Sequence, residues 1–193
     1  EKNLFRAVVE HKKYHGYRHW SGYENSLINL SNTFINTNRD KLTIAYNYFN
    51  SPLALDAGGL TATEVRENRS QARQQNLDYK AGEKVKQHQF TAHWQSKKWT
   101  TYAFFAKRKL DSKLPFEFGG QIDLSRSYYG FGMQKDGRIK QWLWQYGVEA
   151  SAQRDGRKAQ KKKVEACPTC DRHVYWLHVG AQNRYETCNA KVV

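Results

Sequence analysis

The sequence predicts an all-β protein, an antiparallel meander of about seven or eight strands belonging to a large transmembrane β-barrel, with one short helix in a long loop. Three observations predict it. Pairs of strand-length segments with alternating apolar and polar residues are joined by tight polar turns. Each pair is followed by a longer, polar, glycine-bearing connection, the short-long rhythm of an outer-membrane barrel. The apolar side of the alternation is rich in Trp, Tyr and Phe, which gather in girdles at membrane interfaces. A soluble sandwich also alternates with period two, so the aromatic weight of that side separates the two architectures.

Near the start, His11, His15 and His19 recur every four residues, a spacing that would set three imidazoles on one helix face. Gly16, Gly22 and the dense Tyr14, Tyr17 and Trp20 predict a barrel rim and loop there instead. The first strand pair is 26–37 and 41–50, turning at Asn38-Arg39-Asp40. Leu42, Ile44, Tyr46 and Tyr48 form its apolar side, although Ala45 and Phe49 interrupt the polar one. In the connection 51–85, Pro52 ends the strand because it supplies no ladder donor, and Gly58-Gly59 permits a turn. Thr61 or Thr63 then caps a short helix running through Arg73, with Glu64 and Glu67 in the turns favoured by the helix dipole. This connection is expected to be a folded lid.

The second pair is 86–95 and 99–109, turning near Ser96-Lys97-Lys98. Phe90, Ala92 and Trp94 fall on one side, and Gln87, Gln89, Thr91, His93 and Gln95 on the other. After the connection 110–120, the third pair is 121–133 and 138–152, with its turn at Lys135-Asp136-Gly137. Trp142, Trp144, Tyr146, Val148 and Ala150 oppose Gln141, Gln145, Glu149 and Ser151. The last long connection is 153–172.

Composition fits a barrel with a wet interior. The 193 residues are only 39% apolar, and no run approaches the ~20 apolar residues of a membrane-spanning helix. The start Glu1-Lys2-Asn3-Leu4 reads as mid-domain, so the native N-terminus and a secretory signal are expected upstream. The net charge of +14 calls for an anionic neighbourhood. Between Arg154 and Lys163, six cations stand against one carboxylate, fit to attract an anionic ligand or to meet lipid phosphate. Nucleic acid is not expected, because the aromatics keep strand alternation and do not cluster with the lysines.

The segment Ser51-Pro52-Leu53-Ala54-Leu55-Asp56-Ala57-Gly58-Gly59-Leu60-Thr61, with Arg69, Ala72, Arg73, Asn76, Tyr79, Ala81-Gly82-Glu83 and Gln87, resembles a loop and following strand of TonB-dependent outer-membrane receptors, the siderophore-receptor branch in particular. Tyr129-Gly130-Phe131-Gly132, Tyr146-Gly147-Val148-Glu149 and Arg154-Asp155-Gly156-Arg157-Lys158 look like barrel strands of the same family, and the resemblance covers residues 4–158. It implies a barrel of about 22 strands plugged by an N-terminal domain, neither plug nor TonB-contacting segment being found here. The resemblance further implies uptake of ferric-siderophore-type chelates, with TonB engaged through the absent plug and outer-membrane lipid, including lipopolysaccharide, around the barrel. A segment of this kind is not transport-competent alone.

Residues 1–158 are thus read as a barrel segment, and 159–193 as a Cys-containing basic loop with a C-terminal strand. Cys167, Cys170 and Cys188 are disulfide candidates, and Cys167, Cys170, His173 and Cys188 also match a Cys₃His zinc set. That set sustains a second reading, a soluble basic β-domain whose zinc-binding tail binds nucleic acid. No phosphate-cradling loop, nucleophile elbow or paired-carboxylate site is found, so no enzyme and no cofactor is expected. The candidate ligand contacts are Arg66, Arg69 and Arg73 on the loop helix and Gln87, Gln89, His93, Gln141 and Gln145 on polar strand faces. Lys107 and Arg108, at a strand end, add to the cations facing an anionic chelate.

Overall fold

The computed structural model describes the backbone of residues 1–116, 120–139, 142–160, 170–181 and 187–190, and side-chain surroundings for 1–116, 120–137 and 144–158. Among the described residues, the strands are β1 (Lys2–Tyr14), β2 (Tyr23–Ile35), β3 (Lys41–Leu55), β4 (Gly82–Gln95), β5 (Trp99–Lys113), β6 (Gln121–Ile139), β7 (Trp142–Gln160), β8 (Cys170–Ala181) and β9 (Thr187–Ala190). Each pairs antiparallel with the next, and β1 does not pair with β9, so the sheet is an open meander as expected. Two short helices, α1 (Ala62–Asn68) and α2 (Gln74–Asp78), lie between β3 and β4. No described helix is long and apolar enough to cross a membrane, which has no bearing on crossing by strands.

Register builds the two faces. Ala7, Leu30, Tyr46, Phe90, Phe105, Tyr129 and Ala152 are successive cross-strand partners and so share one face. Two residues along, Phe5, Asn32, Ile44, Ala92, Ala103, Phe131 and Ala150 form the next row of it. The opposite face carries Asn29, Asn47, Gln89, Ala106, Tyr128 and Gln153 in a single row. Among the described residues the aromatic face has no covering layer: Phe90 is 51% exposed and Phe131 46%. Such a slab needs an apolar environment of its own, since a soluble sheet normally buries one face against a second layer.

Several boundaries differ from expectation. The strand β1 was not anticipated, because Leu4 and Val8 break the polar side opposite Phe5, Ala7 and Val9 and blur the period. At Pro52 the strand continues through a bulge: β3–β4 pairing skips from Ser51 to Ala54, absorbing the missing donor, and resumes to Leu55. The turn expected at Lys135-Asp136-Gly137 is strand, paired with Tyr146, Gln145 and Trp144. Asp-Gly is a hairpin signal. Here the Asp136 N–H instead donates to Lys98 O at 2.8 Å, extending the β5 edge, and Gly137 makes room for the Trp144 ring, whose Cζ2 would lie 1.9 Å from an added Cβ.

The connections shorten accordingly. The first spans 56–81 in place of 51–85, and β5 takes up residues to Lys113 of the expected 110–120. Most of 153–160 and 170–172 is also strand. The turns at 36–40 and 96–98 stand at one end of the sheet, and the longer connections 15–22, 56–81 and 114–120 at the other.

Candidate functional site

The polar face of β4 to β7 forms an open concavity of ≈ 680 Å³. Its hollow comes from small residues between large ones. Gly132 lies between Tyr102 and Glu149 in the ladder, and the Tyr102 ring extends across it so that its hydroxyl donates to Glu149 Oε2 at 2.5 Å. One row over, Thr91, Phe104, Gly130 and Ser151 are aligned, and Phe104 leans onto Tyr128 with ring centres 4.8 Å apart. The wall is therefore aromatic while its rim is polar.

The charged row is nearer the long-connection end. Gln87, Arg108, Arg126 and Asp155 are successive partners across four strands. Arg126 Nε and Nη2 donate to Asp155 Oδ1 and Oδ2, each at 2.8 Å, and Gln153 Nε2 donates to Oδ2 at 2.9 Å. This fork fixes the Arg126 plane and offsets its charge. Arg108 forms no ion pair among the described residues, so a guanidinium charge is presented beside a neutralised one. The site can thus offer planar donors from Arg108 and Arg126, amides from Gln87, Gln89 and Gln153, and the Tyr128 hydroxyl, all on one wall. That donor set suits an oxygen-rich anionic ligand. Among the described residues no group of three His, Cys, Asp or Glu side chains could hold a metal ion.

Of the residues singled out from sequence, Gln87, Gln89 and His93 line this concavity. Gln145 does not; its Nε2 donates to Asp136 Oδ1 at 2.8 Å at the short-turn end. Gln141 and Cys167 lie outside the described residues, Cys170 opens β8, and Cys188 stands opposite Leu177 on β9. The single helix carrying Arg66, Arg69 and Arg73 on one face is not formed. Arg66 is in the last turn of α1, Arg69 is its C-cap, and Arg73 is the extended N-cap of α2. The Asn68 side chain causes the break by accepting from Ser70 N at 3.0 Å, a local turn that competes with the helix ladder. The expected Thr61 cap is present, with Glu64 completing a capping box.

Sequence reading missed Tyr102, Arg126, Gln153 and Asp155. Each stands on the polar side of its own strand, but only the inter-strand register shows that they converge.

The connections at this end are folded together. Arg18 donates from Nε to Gln71 O at 3.0 Å, from Nη1 to Gly58 O at 2.8 Å and from Nη2 to Ala57 O at 3.1 Å. Trp20 Nε1 donates to Ala81 O at 2.8 Å, and Gln75 Nε2 to Pro115 O at 2.6 Å, tying in the third connection. Ala57, Ala72, Ala81 and Asn76 are buried beneath, so 56–81 is a folded, packed connection, as expected. His11 is on β1, donating to or accepting from Ser26 Oγ at 2.9 Å, while His15 and His19 belong to the rim connection.

No protein-family model matches the chain, and no curated protein matches it either.

Proposed function

We propose that this chain is a wall segment of an outer-membrane, TonB-dependent receptor for ferric-siderophore-type chelates. The observation that carries the reading is the two-faced meander: an uncovered aromatic face backs onto a concave polar face bearing Arg108, Arg126 and three glutamines. Hydrocarbon would cover the first face and water the second. Along β7 from Trp144 to Ala152 the apolar side extends for about 26 Å at ~3.3 Å per residue, enough for most of a bilayer's apolar band once strand tilt is allowed. The family resemblance of residues 4–158 supports the same class.

In this reading the long connections face outward and the short turns face the periplasm. The open edges of β1 and β9 require further strands, because unpaired backbone groups are not tolerated in hydrocarbon. The segment binds; TonB, acting through a plug domain, would drive transport. Chelate oxygens are received by Arg108, with the glutamines and Tyr128 as neutral donors beside the Arg126 guanidinium that Asp155 holds in place. Long-range attraction to the cationic outer connections raises the association rate.

The complete receptor tests this. Impermeant thiol reagents on intact cells should label Gln71→Cys and leave Lys97→Cys unlabelled. Arg108→Gln should slow association of an anionic ferric chelate, with an effect that shrinks as salt rises. Labelling at Lys97→Cys alone would overturn the topology, and an unchanged association rate at low salt would overturn the binding assignment.

A further inference from the structure

We infer that the concavity selects ferric chelates whose iron-binding arms are aryl oxyanions, of the catecholate or phenolate kind, over aliphatic carboxylate and hydroxamate chelates; this rests on the receptor reading above. The selecting element is a pavement of rings. Tyr102, Phe104 and Tyr128 all line the hollow. Gly130 and Gly132 let the first two rings lie along the sheet in place of standing off it. An added Cβ would sit 2.6 Å from Phe104 Cζ at Gly130 and 2.4 Å from Tyr102 Cζ at Gly132. Tyr128 adjoins Phe104 with ring centres 4.8 Å apart and planes tilted by 42°. A ring laid over a glycine of the next strand also stabilises a sheet by itself. That does not account for Tyr128, whose row, from Gln89 through Ala106 to Gln153, holds no glycine.

The polar groups fix the sign of the ligand. Among the described residues no carboxylate lines the hollow. Glu149 and Asp155, on the same face, are already engaged: the first accepts from Tyr102, the second from Arg126 and Gln153. What the hollow offers is chiefly donors, the Arg108 guanidinium and the glutamine amides. Arg108 and Arg126 stand one row outward of Tyr128, roughly 7 Å away for two residues of strand. A planar ring can stack on Phe104 and Tyr128 while its oxygens meet the Arg108 donors, so one rigid aryl oxyanion satisfies both halves of the wall. Citrate would use the cation and leave the rings uncovered. Hydroxamate arms bring neither a ring nor a net negative charge to the ferric complex.

The test uses the complete receptor in detergent and reads equilibrium binding of radiolabelled iron presented as a synthetic tricatecholate, as citrate or as desferrioxamine B. The wild-type protein should bind the tricatecholate about tenfold or more tightly than the other two. Phe104→Leu, which keeps an apolar side chain but removes the ring, should cut the preference for tricatecholate over citrate by about fivefold. Tyr128→Leu should act in the same direction, and Phe104→Tyr should keep the preference, which separates the lost ring from a disturbed fold. Arg108→Gln should weaken both anionic chelates together and leave their ratio near that of the wild type. Equal affinity for tricatecholate and citrate, a preference for the hydroxamate, or a ratio unmoved by both leucine variants overturns the inference and leaves the receptor reading standing. Binding of none of the three chelates overturns that reading instead.

Discussion

The Tyr102 hydroxyl reaches Glu149 Oε2 across an intervening strand, and it can do so because that strand carries Gly132 between them. An added Cβ at Gly132 would lie 2.4 Å from Tyr102 Cζ, far inside van der Waals contact. Three strands are thereby coupled through one ring. Gly132→Ala should displace the ring and destabilise the folded sheet by about 1–3 kcal/mol. Tyr102→Phe, which loses only the hydrogen bond, should cost about 1 kcal/mol. Denaturant unfolding in which Gly132→Ala is silent would show that the ring does not occupy this position.

Arg18 joins the rim to the lid through three carbonyls on 57–71. A guanidinium presents these donors in a fixed fork that an ammonium cannot reproduce. Arg18→Ala and Arg18→Lys should both raise hydrogen exchange and proteolysis across 56–81 while leaving β4 and β5 protected. Protection restored by lysine would assign the effect to charge alone.

The cap of α1 is pH-sensitive. The Thr61 backbone N–H donates to Glu64 Oε2 at 2.6 Å and the Thr61 hydroxyl at 2.8 Å, holding the exposed Glu64 carboxyl below its ordinary value of 4.5. A depressed carboxyl contributes stability that is fully present above its unfolded value and is lost as pH falls through the folded one. Amides of 62–68 should therefore keep their protection at neutral pH and lose it in acid, below the ordinary carboxylate value. Glu64→Gln, which cannot ionise, should remove that pH step, whereas Thr61→Ala, which keeps the backbone donor, should only reduce it, both read as protection factors against pH.

Substitutions should report the two faces. Phe131→Lys, in the second apolar row, should cost about 2–4 kcal/mol as expected near a bilayer midplane, whereas Thr91→Lys on the polar face should cost little. Trp144→Lys, stacked on Tyr146 at 5.1 Å near the short-turn end, should cost less than Phe131→Lys. Equal tolerance of Phe131→Lys and Thr91→Lys in a refolding assay would contradict the lipid-facing assignment.

The sequence by itself determined the period-two faces, the antiparallel meander, the turns at 36–40 and 96–98, and the Thr61 cap. These are local properties: side-chain alternation follows from strand geometry, and a cap needs only neighbours within a turn. Tertiary structure decided what depends on register. Asp136-Gly137 carries a hairpin signal, yet pairing with Gln145 and Trp144 keeps it in a strand. Arg126 and Asp155 are 29 residues apart and meet only because β6 and β7 align them, and the fork of Arg18 finds its carbonyls 39 to 53 residues along the chain. That Lys107 and Arg108 take opposite faces is written in alternation, but which residues stand opposite them is set by the β4–β5 register, which no local rule measures.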